Sequence, residues 1–148
     1  MLREKVQTYV SKNITATSSG NTTVVIPVND FDSFIAKLVV TTLSGTSPTL
    51  DVYIQTTDDG GTTWFDAAHF TQYSAASTNP NWMTIHVEGG DGVISTLGGE
   101  IGDATIAASK TGVPLMDKLV RIKYVYGGTV GVANWTLSFK FPHEDGEE

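Results

Sequence analysis

An all-β fold in a single domain is what this 148-residue sequence predicts, as an antiparallel β-sandwich of jelly-roll-like form or a closed β-barrel. Three observations predict it. Thr, Val and Ile are plentiful, and β-branched side chains suit a pleated, half-buried surface better than a helix. Apolar and polar residues alternate with a period of two in several stretches, and no stretch carries a convincing stripe at helical spacing. Fifteen glycines and recurrent Asn/Asp/Ser clusters punctuate those stretches with turns. An apolar fraction of 40% supports one real core, and the length makes a second hard to accommodate.

Residues 1–20 are weakly periodic and read as an N-terminal arm or edge strand, with a short strand over 5–10. Polar residues 15–21 lead into a clear strand over 22–28, ending near Pro27, and 29–32 read as a turn. Over 33–43, Phe34, Ala36, Leu38 and Val40 share one parity, and Ile35, Lys37, Val39 and Thr41 the other. Both parities are partly apolar, which predicts a central strand covered on both faces, for instance by a neighbouring subunit. Residues 45–48 read as a turn. Leu50, Val52 and Ile54 then alternate with Asp51, Tyr53 and Gln55, and Asp58-Asp59-Gly60-Gly61 closes a hairpin into a strand over 62–70.

Polar residues 74–81 connect to 82–88, where Trp82, Thr84 and His86 oppose Met83, Ile85 and Val87. Residues 89–114 are Gly-rich and irregular, which in a compact domain signals function, mobility or ordering by a partner. Within them, 103–110 is the one candidate short helix. Residues 118–126 and 130–141 read as a hairpin joined at Gly127-Gly128. Val120, Ile122, Tyr124 and Tyr126 give the core face of its first strand, and Ala133, Trp135, Leu137, Phe139 and Phe141 share one parity of the second. The sandwich domain thus spans 21–142, and 143–148 reads as a frayed acidic tail that includes His143.

A net charge of −7 argues against nucleic acid as the main partner, because phosphate binding needs a basic surface. The absence of Cys excludes disulfides and thiolate metal sites. The apolar runs are far shorter than the ~20 residues of a membrane helix, and the charged N-terminus has no apolar run behind it, so neither membrane insertion nor a secretory signal is expected.

The sharpest motif is Thr57-Asp58-Asp59-Gly60-Gly61-Thr62-Thr63-Trp64, which matches the Asp-box pattern of sialidases and related β-proteins. The resemblance implies a structural hairpin in which Thr57, Asp59, Gly61, Thr63 and Trp64 hold the turn. Gly tolerates positive φ, and the carboxylate can accept turn amides. The box occurs once, in a chain too short for a propeller, so sialidase activity does not carry over. An EF-hand reading fails because no Glu stands about eleven residues beyond the first ligand; residues 69 and 70 are His and Phe.

His69, His86 and His143 lack metal-site spacing. His69 follows Asp66 by three residues, which on a regular strand puts the two on opposite faces. No nucleophile elbow, phosphate loop or dinucleotide fingerprint is found. No catalytic residue, cofactor or metal is therefore expected, and no enzyme. A hydrolase would need Asp66, Asp91 or Glu100 to converge in one cleft. Tyr9, Phe70, Tyr73 and Trp82 are the candidate interface residues, since Trp and Tyr are enriched at binding hot spots.

Residues 50–70, with the 33–43 strand and the 118–141 segment, resemble small β-sandwich proteins of tailed bacteriophages, notably capsid decoration (cement or auxiliary head) proteins. The resemblance implies a homotrimer on the exterior of the virion, bound to the major capsid protein and stabilising the lattice, with assembly in the host cytoplasm. Residues 1–13 are then an arm reaching the capsid or a neighbouring protomer. The alternative is a carbohydrate- or receptor-binding module of a phage head fibre or tail, which an exposed face of Trp64, Tyr73 and Trp82 would favour.

Overall fold

A computed structural model describes residues 4–26, 32–87 and 103–144, with side chains for 12–26, 32–87, 103–129 and 131–141. The expected turn over 29–32, all but its last residue, and residues 89–102 of the expected irregular stretch 89–114, with Asp91 and Glu100, lie outside the described residues. The described residues form seven strands and no helix: β1 (Glu4–Ala16), β2 (Gly20–Val25), β3 (Ser33–Thr56), β4 (Phe65–His69), β5 (Ser77–His86), β6 (Lys110–Thr111) and β7 (Leu119–Glu144). Every strand pairing is antiparallel. The sheet is not closed into a barrel, so the sandwich alternative holds.

The backbone of the fold is a pair of long strands, β3 and β7, hydrogen-bonded from Ile35↔Lys140 to Gln55↔Arg121. The sequence predicts a turn at 45–48 and a hairpin at Gly127-Gly128; instead both chains continue, and the pair bends there as a unit. Three register shifts fall between Val40 and Thr49. Gly45 (φ 124°), Ser47 (φ 48°) and Gly128 (φ 71°) take the left-handed region in that bend. A β-carbon on Gly128 would collide with the carbonyl oxygens of Ser47 and Thr46, so the close approach requires glycine. The Ser44 hydroxyl accepts from the Val132 amide (2.9 Å) and donates to the Val132 carbonyl (3.2 Å), replacing ladder bonds lost at the shift.

β1 and β2 follow the same bend along the other side of β7. β1 pairs with residues 133–144 and β2 with 119–124. The bend therefore divides the sheet into two layers. Layer one is β1, the C-terminal half of β7, the N-terminal half of β3, and β5. Layer two is β2, the N-terminal half of β7, the C-terminal half of β3, β4 and β6. The inward face of layer one is Phe34, Ala36, Leu38, Val40, Ala133, Trp135, Leu137, Phe139 and Phe141; that of layer two includes Leu50, Val52, Ile54, Val120 and Ile122. These residues form one core cluster, in which the Phe34 ring lies 5.2 Å from Phe139 and 4.9 Å from Phe141. Across the layers the Trp135 ring meets Tyr124 edge-on at 5.3 Å and donates its Nε1–H to the Tyr126 hydroxyl (3.1 Å).

Other expectations are corrected. The N-terminal segment takes the edge-strand form of its two expected ones, but over Glu4–Ala16 where the short strand was placed at 5–10, because its backbone finds a partner ladder on β7. His143 and Glu144 belong to β7, paired with Lys5 and Glu4, and are not tail. Residues 103–110 are not a helix: they form turns at 103–104 and 108–109, then enter β6. Residues 77–81, expected as connector, are strand paired to β3.

Candidate functional site

The densest polar constellation lies on the outward face of layer two. Even residues of β3 there face the core, so Asp51, Tyr53 and Gln55 face outward. The register sets Arg121, Gln55 and Asp66 in one cross-strand row, and Lys123, Tyr53 and His69 in the next. A β-bulge between Ile54 and Gln55 gives β4 one extra residue, bringing Asp66 and His69 onto the same face. The opposite-face expectation from their three-residue spacing fails for that reason.

Asp66 is fully buried, yet its carboxylate is saturated. Oδ1 accepts from Gln55 Nε2 (2.9 Å) and the Ala104 amide (2.9 Å). Oδ2 accepts from the amides of Thr105 (2.7 Å) and Ile106 (3.0 Å). Three successive amides converge because Ala104 adopts positive φ (57°), curling the chain into an anion-binding nest. Backbone bonds from Gly112 to Ala67 and from Val113 to Asp66 extend the docking of this segment on β4.

Asp103 sits at the rim. It accepts from Gln55 Nε2 (2.8 Å), Arg121 (2.9 Å) and Lys123 (2.9 Å). Burial raises its pKa, but the bonds from Gln55, Lys123 and Arg121 together outweigh that and hold it at about 2. Arg121 also gives Nε–H to Gln55 Oε1 (2.7 Å) and lies 4.9 Å over the Trp64 ring. His69 is buried, with Nδ1 2.8 Å from the Ile106 carbonyl and Nε2 2.8 Å from Asp51, and Tyr53 stacks on its ring at 3.9 Å. Burial first, then the charges of Asp51, Asp66 and Asp103, raise the Tyr53 pKa. In this network the Asp66 oxygens and both His69 nitrogens already have partners within the chain. Its geometry fastens residues 103–113 to the sheet. Among the described residues no three His, Asp or Glu side chains gather as metal ligands would.

The Asp-box residues form the expected turn between β3 and β4. The Thr57 hydroxyl donates to Asp59 Oδ1 (2.8 Å) and accepts from the Gly61 amide (2.9 Å). Asp59 Oδ1 accepts from the amides of Thr62 (3.0 Å) and Thr63 (2.9 Å), and these bonds, the Thr63 amide foremost, push its pKa well below the carboxylate range. Gly60 and Gly61 both take positive φ. Trp64 is half-buried against Gly61 beneath the Arg121 guanidinium.

The interface candidates separate. Phe70 and Tyr73 are buried in the core and present no surface, because Tyr73 bridges back to Leu50. Tyr9 lies on β1 opposite Lys140, its side chain outside the described ones. Trp82 is 48% exposed on the outward face of layer one, near Ile35 at 41%. The ammonium groups of Lys37 and Lys140 lie 5.3 and 5.9 Å from its ring centroid. Trp64, Tyr73 and Trp82 do not share a face. Sequence reasoning missed Gln55, Arg121 and Lys123, although each holds the polar parity of an alternating strand. What it lacked was the β3–β7 pairing that makes them neighbours.

No protein-family model, curated protein or solved structure matches the chain. No helix among the described residues is long and apolar enough to cross a membrane.

Proposed function

We propose that this chain is a structural protein that works by binding, and specifically a bacteriophage capsid decoration protein. In this reading it sits on the capsid exterior as a homotrimer, holds major capsid subunits together, and carries no catalytic activity. The supporting observation is that the polar network around Asp66 is committed internally: four donors saturate a buried carboxylate in order to fasten a loop. A fold whose ionisable groups hold its own segments, on a sheet bent as one piece, suits a rigid clamp. The capsid itself enters through the resemblance of residues 33–43, 50–70 and 118–141. The sugar-binding alternative draws less support, since Tyr73 is buried and Trp64 and Trp82 lie on different layers.

The test is sedimentation of the purified chain with DNA-free capsids of the phage that encodes it. Saturable recovery in the pellet at a fixed ratio to capsid protein is expected. Recovery that never exceeds a tube without capsids rejects the reading.

A further inference from the structure

Trp82, on the outward face of layer one, stands in a local cationic patch. Lys37, Lys140 and His86 share that face with it, and the described side chains of 12–16, 33–43, 77–86 and 131–141 include no Asp or Glu. On the edge strand β5 the half-exposed Trp82 lies beside Lys37 and Lys140, near Ile35. A large aromatic with an adjacent aliphatic and flanking cations has the make-up of an interface hot spot. Two acidic side chains stand apart from it. Asp58 and Asp59 are exposed at the β3–β4 turn at the end of layer two. Asp59 is held by its turn, whereas Asp58 has no side-chain partner among the described residues.

We propose that the Trp82 face binds a second copy of this chain in a head-to-tail contact, with Lys37 and Lys140 of one protomer facing the acidic Asp58 turn of the next. The proposal deepens the reading above and rests on its homo-oligomer. Charge complementarity selects both the occupant and the symmetry. A two-fold contact centred on Trp82 would press each lysine pair against its own copy, whereas a contact between different faces joins opposite charges. Repeated around an axis, such a heterologous contact closes into a ring, and a ring of three is allowed. It also supplies the second cover expected for the 33–43 strand, whose outward Ile35 is otherwise exposed.

Light scattering coupled to size exclusion tests this on the purified full chain. The wild type is expected to run as a closed oligomer that loosens in about 1 M salt, where screening acts within about 3 Å. Trp82→Ala should raise the dissociation constant roughly 30-fold or more. Lys37→Glu with Lys140→Glu, and separately Asp58→Lys, should each give monomers. Circular dichroism should match the wild type, because none of the four side chains is buried, and the melting temperature should fall only by what the lost assembly contributed. Mixing those two variants should restore assembly, since the face of each then meets a turn of opposite charge on the other. Lys37→Gln with Lys140→Gln serves as a milder pair if the reversals disturb folding.

An oligomer that persists in every variant, or a two-fold dimer, overturns the face assignment and leaves the decoration reading standing. A monomeric wild type removes the oligomer from that reading and this contact with it. A monomer whose tryptophan emission shifts with heparin or poly-glutamate assigns the face to a foreign polyanion and overturns the proposal.

Discussion

Replacing Asp66 by Asn tests how residues 103–106 are held. The substitution keeps the shape of the side chain but exchanges one acceptor oxygen for an NH2 group. In either amide orientation, that group points at two donors: Gln55 Nε2 and the Ala104 amide at Oδ1, or the Thr105 and Ile106 amides at Oδ2. Each buried donor left without an acceptor costs about 1–3 kcal/mol, and the two remaining bonds lose their charge assistance. If the loop stays docked the cost is about 3–5 kcal/mol. A domain of this size shifts by about 2–4 °C per kcal/mol, so melting should fall by at least about 6 °C. The loop has one escape: detaching so that water satisfies the amides, which limits the global loss and exposes the loop. Calorimetry with amide exchange at Thr105 and Ile106 covers both outcomes. A variant that melts within about 2 °C of wild type, with those amides equally protected, refutes the reasoning.

Three further outcomes follow from the same geometry. Gly128→Ala should cost more than ~3 kcal/mol, since positive φ and a collision with the Ser47 carbonyl combine there, while Gly60→Ala, in open space, should cost only ~1 kcal/mol in denaturant titrations. Phe34→Ala removes a ring packed against Phe139 and Phe141 and should cost ~3–5 kcal/mol at equilibrium. Asp103 has its pKa held at about 2, below its unfolded value, so its contribution is present above pH ~4 and is lost as pH falls through about 2. After allowance for solvent at this half-exposed rim the contribution is about 1 kcal/mol, and the stability gap between wild type and Asp103→Asn should close across that window.

The fold class was legible because period-two alternation is local: Leu50, Val52 and Ile54, or Trp135, Leu137 and Phe139, declare a strand and its buried face without reference to any partner. The Asp-box turn was legible for a similar reason, since all its bonds lie within residues 57–63. The route of the chain was not. Glycines at 45 and 127–128 have the composition of a turn, and only the steric fit of Gly128 against Ser47 distinguishes a bend in a continuous ladder from a reversal. The polar network was hidden twice, once by that misplaced reversal and once by the β4 bulge that turns Asp66 to the side of His69. Trp82 was picked out by residue type. The cationic patch around it emerges only when β5, β3 and β7 are laid side by side.

The proposal that this chain binds a capsid surface is tested most directly by titrating it onto DNA-free capsids of the tailed phage that the proposal assigns it to and sedimenting them. The account predicts saturation at a fixed ratio to the major capsid protein and decorated capsids that withstand higher temperature than bare ones. A chain that stays in the supernatant at every concentration, with capsid melting unchanged, contradicts it.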